Sequence, residues 1–322
     1  MNTVTALNRK YIPYTSTMLI SHAINEKEHI DAYLLHSELN QDDISLIEQV
    51  VSGYDIKICP IFVDKKNFSE RLPHNDQWSL ETYYRLMMLE LLPDTVDRAL
   101  YLDGDMVINK SLSDFYHEEF DDAMIIACDD KSGLNTPDRY GPKHNEMFRQ
   151  AYENGYRYFN AGVMLLNISK MREKYSFQTY LEAVNSWNYQ MEAPDQDILN
   201  WVHWREVAYE DCMVYDLFAR VAHNAGITYE EVKENVAIIH YAGAKPWNNE
   251  NVHFDIERLW WEYARKTPFY EALLVDFVET AMSDKTVEEY IKGLVSKFGD
   301  LRNSLDSIMA RIKNITGAGG CE

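Results

Sequence analysis

The chain has 322 residues, 46% of them hydrophobic, enough for one large α/β domain with an appendage or for two domains. Its 31 Lys+Arg against 52 Asp+Glu leave a formal net charge of −21, which repels polyanions and excludes nucleic acid as an expected partner. No stretch reaches the roughly 18 consecutive apolar residues of a membrane span, and the opening "MNTVTALNRKYIPY" has no apolar signal core, so the expected location is cytoplasmic.

In chain order, strand-like and helix-like segments alternate. Apolar runs mark strands at 2–7 ("NTVTAL"), 30–37 ("IDAYLLHS"), 56–63 ("IKICPIFV"), 98–103 ("RALYLD") and 123–128 ("AMIIAC"). The gaps read as helices at 14–25 ("YTSTMLISHAIN"), 41–51 ("QDDISLIEQVV") and 80–92 ("LETYYRLMMLELL"). Strand, helix, strand repeated predicts a mostly parallel sheet, whose ligands sit beyond the carboxyl ends of the strands where the strand order reverses. The 13 glycines are scattered, with no G-x-G-x-x-G or Walker loop, so any phosphate must be held by another device. Cys59, Cys128, Cys212 and Cys321 lie far apart without C-x-x-C pairing and read as buried or incidental thiols.

The fourth strand carries the first chemical signal. In "YLDGDMVIN" (101–109), Asp103 and Asp105 interrupt a run that is apolar on both sides, from Leu100 to Leu102 and from Met106 to Ile108. Residues i and i+2 of an extended segment point to the same side, so the two carboxylates can be presented together, and Gly104 between them has no side chain to obstruct a ligand. Two acids aimed at one point suit a divalent cation; an acidic turn after a strand is the plainer alternative. Three later stretches bear on the choice. "VAIIHYAGAKPWN" (236–248) is an apolar strand ending in His240, followed by a turn with Gly243 and Lys245, an imidazole beside an ammonium that could meet a phosphate. "APDQDILNW" (193–201) reads as a helix start, with Asp195 either a cap or a functional carboxylate. "YFNAGVMLLN" (158–167) is a buried strand interrupted by Asn160 and Gly162.

In this order and spacing, "TALNRKY", "YYRL", "LYLDGDMVI", "YFNAGVMLLN", "PDQDILN" and "HYAGAKPW" resemble the retaining glycosyltransferases of family 8, which include bacterial lipooligosaccharide galactosyltransferases and glycogenin-like enzymes. The resemblance covers roughly residues 1–250 and implies a GT-A fold, a single Rossmann-like α/β domain with a mostly parallel central sheet that binds a UDP-sugar and Mn²⁺, with Mg²⁺ as an alternative. Asp103, Asp105 and His240 would then be the metal ligands, with Gly104, Gly243 and Lys245 close to the diphosphate. Arg85 matches an arginine that reaches the donor, and Ala6 and Tyr11 match the lining of the uracil pocket. Asn160, Asp195 and Gln196 match residues around the donor sugar, Gln196 being nearest the reacting carbon. A neutral amide is a poor nucleophile, so a front-face substitution is favoured over a covalent intermediate, with Gln196 acting electrostatically. Asp129 or Asp130 in "ACDDKSG" is a further candidate for the sugar, or a plain loop acid. The chain departs from the family two places after Ala6, where an acid that accepts the uracil N3–H is replaced by Asn8, a weaker acceptor, which leaves the base preference open.

After Trp247 the motifs stop. Residues 251–284 read as an aromatic-rich helical appendage, and 285–322 as an amphipathic helix with a short tail. There Val287, Ile291, Leu294, Phe298, Leu301, Leu305, Ile308, Ile312 and Ile315 recur at alternating steps of four and three, a heptad seam for homo-oligomerisation or for docking on the chain's own domain. The reading is thus a Mn²⁺-dependent transferase of a glucose- or galactose-type hexose from UDP to a saccharide, glycolipid or glycoprotein acceptor, in cell-surface polysaccharide synthesis. A donor-binding module that transfers weakly and a metal-dependent phosphohydrolase are the alternatives.

Overall fold

Ten strands form among the described residues of the computed structural model, which are 1–68, 72, 80–131, 149–186, 193–248, 254–282 and 284–317. They are β1 (Asn2–Ala6), β2 (Ile30–His36), β3 (Ile56–Phe62), β4 (Arg98–Leu102), β5 (Met106–Ile108), β6 (Ile125–Asp129), β7 (Phe159–Asn167), β8 (Val207–Glu210), β9 (Leu217–Phe218) and β10 (Ile238–His240). Seven make the central sheet in the order β3-β2-β1-β4-β7-β6-β8. The pairs β3/β2, β2/β1, β1/β4 and β6/β8 are parallel, and only β7 runs against its neighbours, β4 and β6. The expected mostly parallel sheet is therefore present.

Period-two alternation divides the core between the two faces of this sheet. On β4, Ala99 and Tyr101 join one cluster with Val4, Tyr33 and Phe159, while Leu100 and Leu102 join the other with Leu19, Leu34 and Val163. Both faces being covered explains why the strands read as near-continuous apolar runs.

Two local expectations change. The run through 101–109 is not one interrupted strand. The chain turns at Asp103–Asp105, and β5 leaves for a second sheet of order β5-β10-β9, pairing antiparallel with β10. The segment 80–92 is not a continuous α-helix either. Leu80–Met87 winds as a 3₁₀ helix, and only Met88–Leu91 is α. Three residues per turn set Thr82 above Arg85, and Arg85 Nε donates to the Thr82 carbonyl at 3.1 Å. That winding buries Tyr83, Tyr84 and Arg85 in succession, which one stripe of an α-helix would not.

Helix Ile12–Asn25 packs under the D-G-D turn. It starts with Pro13 in its first turn, where the missing N–H matters least, after a 3₁₀ turn Arg9–Tyr11. Asn8 caps that turn, its Oδ1 accepting from Tyr11 N–H at 3.1 Å.

The chain divides into two compact units, Met1–Pro246 with His253–Tyr270, and Trp247–Val252 with Glu271–Glu322. In the first, Trp260 is fully buried and meets Tyr14 at a ring separation of 6.3 Å. In the second, Asp284–Gly317 is one helix of 34 residues. Of the heptad seam, Ile291, Leu294, Phe298, Leu301, Leu305 and Ile308 are exposed, while the side chains of Val287, Ile312 and Ile315 lie outside the described ones. Among the described residues no helix is long and apolar enough to cross a membrane. Cys128 and Cys212 are buried free thiols and Cys59 is half-buried and free; Cys321 lies outside the described residues.

Candidate metal and donor site

The sheet order runs one way from β1 to β3 and the other way from β4 onward, so the crevice beyond the carboxyl ends of β1 and β4 is a topological switch point. Asp103 follows β4 directly, and its N–H still donates to Gly162 O of β7 at 2.9 Å. Asp105 is held from the other side, its carbonyl accepting from Tyr241 N–H at 3.0 Å, while the β5/β10 register sets Met106 opposite His240. Two sheets thus converge on one point. Asp103, Asp105 and His240 each offer a ligand atom, and these atoms lie within 4.8 Å of one another. Two hard oxygens and an imidazole form a donor set that fits a divalent cation.

The two glycines have steric reasons. A Cβ on Gly162 would stand 2.7 Å from His240 Cε1 and 2.8 Å from both Asn160 Oδ1 and Asp103 Oδ2, so the cluster rests on a bare patch of β7. A Cβ on Gly104 would stand 2.5 Å from Thr15 Oγ1 of the helix Ile12–Asn25. The space that a side chain at Gly104 would need is therefore taken by the helix, whereas the sequence reading kept that space for a ligand.

Cations and carboxylates interlock around the cluster. Arg85 is buried rather than solvated; it donates to Asp103 Oδ1 at 2.8 Å and Ala161 O at 2.6 Å, and pairs with Asp195 Oδ2 at 3.0 Å. Burial opposes its charge, but Asp103, Tyr101 and Asp195 outweigh burial and hold the guanidinium pKa above its usual range. Lys245 pairs with Asp105 Oδ2 and donates to Tyr241 O at 3.1 Å. Burial would raise the Asp105 pKa, yet Lys245 and His240 bring it below the usual carboxylate range. His240 lies between carboxylates, with Nδ1 2.8 Å from Asp216 Oδ1 and Nε2 3.5 Å from Asp105 Oδ1. Burial pushes its pKa down, but Asp216 and Asp105 overcome burial and raise it to about 10.

Helix Pro194–His203 aims the remaining groups. Its N-cap is Ala193 without a side-chain cap, so Asp195 is not the N-cap residue; its carboxylate pairs with Arg85 and also accepts from its own and the Gln196 backbone N–H. Burial pushes the Asp195 pKa up, against the pull of Arg85. Gln196 is fixed at both ends of its amide. Oε1 accepts from Asn160 Nδ2 at 3.1 Å and Ala161 N–H at 2.9 Å, and Nε2 donates to Asp130 Oδ2 at 2.6 Å. Asn160 Oδ1 in turn accepts from Gly162 N–H at 2.8 Å. The two acids at the end of β6, Asp129 within it and Asp130 after it, therefore separate. Asp130 joins the Gln196 network, while Asp129 takes Lys131 and Arg157, each at 2.9 Å on Oδ2.

The model of the family described as "Glycosyl transferase family 8" matches residues 2–251. The chain belongs to glycosyl transferase family 8. Among its relatives, a Haemophilus influenzae protein that carries the name "Putative glycosyltransferase" is 26% identical over 291 residues, covering 84% of each chain. The lipopolysaccharide 1,2-glucosyltransferase of Escherichia coli K12 is 23% identical over 254 residues, covering 77% of this chain and 73% of its own. The crystal structure of the galactosyltransferase LgtC, in complex with donor and acceptor sugar analogues, is 25% identical with a TM-score of 0.67, covering 83% of this chain and 96% of LgtC. The mixed α/β fold is thus that of the GT-A glycosyltransferases.

In this family 8 chain the other expected residues lie along the same crevice or its rim. Ala6 ends β1, and Asn8 and Tyr11 follow it in the 3₁₀ turn. Burial pushes the Tyr11 phenol pKa up, and the charges of Asp105 and Asp103 push it further in the same direction. Gly243 adopts φ +82° in the turn between His240 and Lys245, a conformation other residues rarely take. Sequence reading missed Asp216, although an acid inside the apolar "VYDLF" (214–218) was a signal, and Thr15, which carried none. Residues 132–148 lie outside the described residues.

Proposed function

We propose that the protein is a Mn²⁺-dependent retaining hexosyltransferase that moves a glucose- or galactose-type sugar from UDP to a saccharide, glycolipid or glycoprotein acceptor at the cell surface, working from the cytoplasm. The observation that carries this reading is the Asp103–Asp105–His240 cluster linked through Asn160 and Gly162 of one strand to the immobilised amide of Gln196.

Charge supports the order of assembly. Asp103, Asp105, Asp130, Asp195 and Asp216 outnumber the cationic side chains that meet them, Arg85, Lys245 and His240, so a diphosphate would meet net repulsion unless a further cation is bound. The divalent ion, when bound, supplies Lewis-acid stabilisation of the departing diphosphate. Lys245 and the backbone at Gly243 would add to that clamp, and Arg85 and Asp195 would hold the sugar hydroxyls by charge-assisted hydrogen bonds.

Gln196 supports retention without a covalent intermediate. Its Oε1 already accepts two hydrogen bonds, which reduces what little nucleophilicity an amide has, while fixing its dipole toward an oxocarbenium-like carbon. The acceptor hydroxyl would attack on the face the UDP leaves, passing its proton to the departing phosphate oxygen. Asn8 retains a lone pair on Oδ1 besides the one engaged by Tyr11 N–H, so an N3–H of uracil can still be accepted. Residues 1–250 would form the catalytic domain and 251–284 its helical appendage, with 285–315 as an oligomerisation helix.

Incubation with Mn²⁺ and a panel of nucleotide-sugars without acceptor tests the reading. Slow release of sugar and UDP from one donor is expected; binding without release indicates a donor-binding module, and hydrolysis of generic phosphate esters a phosphohydrolase.

A further inference from the structure

We propose that Asp216 is a positioning residue for the metal site: through its hydrogen bond to His240 Nδ1 it fixes the imidazole tautomer whose Nε2 faces the cation. The inference rests on the reading of Asp103, Asp105 and His240 as metal ligands.

Asp216 is 2% exposed, and its Oδ1 lies 2.8 Å from His240 Nδ1. Its second oxygen, Oδ2, is buried with no hydrogen-bond partner among the described residues. A buried carboxylate with one oxygen unpaired is unfavourable by itself, so the imidazole contact and the charge beyond it must offset its desolvation. Local structure holds the pair in register. Asp216 immediately precedes β9, which runs parallel to β10 with Phe218 opposite His240. The Phe218 ring meets the His240 ring edge to face at 5.1 Å, which leaves the imidazole little freedom to turn over.

The consequence concerns the other nitrogen. A carboxylate can only accept, so the hydrogen stays on Nδ1, and in the neutral imidazole that a metal ligand requires Nε2 presents its lone pair toward Asp103 and Asp105. In the opposite tautomer an N–H would point at the cation. Asp216 does not belong to the ligand cluster itself, so it acts through His240, raising the basicity of Nε2.

Mn²⁺ affinity, read from the EPR signal of free Mn²⁺ without nucleotide or turnover, tests this. Asp216→Ala should bind Mn²⁺ about 10- to 100-fold more weakly, in the range for loss of a partner behind a ligating histidine. Asp216→Asn preserves volume but removes the charge and replaces one acceptor oxygen by an NH2 donor that can hold Nδ1 in the opposite tautomer, so it keeps the test decisive if the alanine variant does not fold; about a tenfold loss is expected. In a His240→Ala background, Asp216→Asn should have no further effect. Unchanged affinity in folded Asp216→Asn, or an equal loss with and without His240, would overturn the relay. A wild-type protein that binds no Mn²⁺ would overturn the metal reading and the relay with it, an outcome distinct from the first two.

Discussion

Gly162→Ala is the sharpest perturbation of the site, because the added methyl enters between three polar side chains rather than into a void. The new Cβ would lie 2.7 Å from His240 Cε1 and 2.8 Å from Asn160 Oδ1 and Asp103 Oδ2. Something must move, and the backbone is the stiffer party. Gly162 sits in β7 beside a shift in the β6/β7 register, and its backbone is tied by its carbonyl, which accepts from Asp103 N–H at 2.9 Å, and by its N–H, which donates to Asn160 Oδ1 at 2.8 Å. The displacement therefore falls on the side chains of His240, Asp103 and Asn160. Overpacking of this kind costs roughly 1–3 kcal/mol. If that energy is taken from the ligand geometry, Mn²⁺ affinity and kcat/KM should fall by about 5- to 150-fold, at 1.36 kcal/mol per tenfold. If it is taken from the fold instead, Tm should drop by roughly 2–4 °C per kcal/mol. The tied backbone predicts the first outcome, with circular dichroism and Tm close to wild type. EPR titration of Mn²⁺, a turnover assay and a thermal melt on the same preparation distinguish the two. Wild-type Mn²⁺ affinity and turnover in a Gly162→Ala protein would refute the steric reasoning.

Further predictions follow from single contacts. Gly104→Ala should destabilise by about 1–3 kcal/mol through its contact with Thr15 Oγ1, and Thr15→Ala in the same chain should restore most of that loss in a thermal melt; a lack of rescue removes Thr15 as the cause. Gln196→Ala should keep the anomeric configuration of its product, determined by NMR, while turnover drops by ~10- to 10³-fold, as for removal of one stabilising dipole. An inverted product, or a glycosyl-enzyme trapped on the wild type, would falsify the front-face route. Asn8→Asp should tighten UDP in calorimetry, since a carboxylate accepts a hydrogen bond with roughly twice the strength of an amide; weaker UDP binding points to another base. Deleting residues 285–322 should convert an oligomer to a monomer in light scattering with turnover largely retained, because the proposed site residues end at Lys245; a full-length monomer at micromolar concentration contradicts the seam as an oligomer contact.

Much of the candidate site was legible along the chain because its polar groups stand out against apolar strands. Asp103 and Asp105 break a run that is otherwise core, and His240 ends another such run; residue type drew attention to them, while their expected role as metal ligands came from the family 8 resemblance. The alternation of strands and helices likewise foretold a mostly parallel sheet with its crevice beyond the ends of β1 and β4. Local period says nothing, however, about which sheet a strand joins. The departure of β5 from the central sheet depends on its pairing with β10, some 130 residues later (106 against 240), and that pairing is what carries His240 to the Asp pair. The 3₁₀ winding of Leu80–Met87 was hidden for a similar reason, since it follows from burying consecutive residues, Arg85 among them, against Asp103 and Asp195.

Tertiary structure alone decided the roles of the small and the silent residues. Gly104, Gly162 and Thr15 have no chemistry that a sequence displays; their meaning lies in 2.5–2.8 Å of space between elements distant in the chain. Along the chain Asp195 reads as a cap or a functional carboxylate, and only the fold shows that its partner is the buried guanidinium of Arg85 at 3.0 Å. Asp129 and Asp130 are adjacent and chemically identical, yet successive residues of an extended segment face opposite ways, so one meets surface cations and the other meets Gln196. Residue types thus set which chemistry was available to the chain, whereas contacts between distant segments determined which of those groups share one crevice, because steric exclusion and pairing act across space rather than along the sequence.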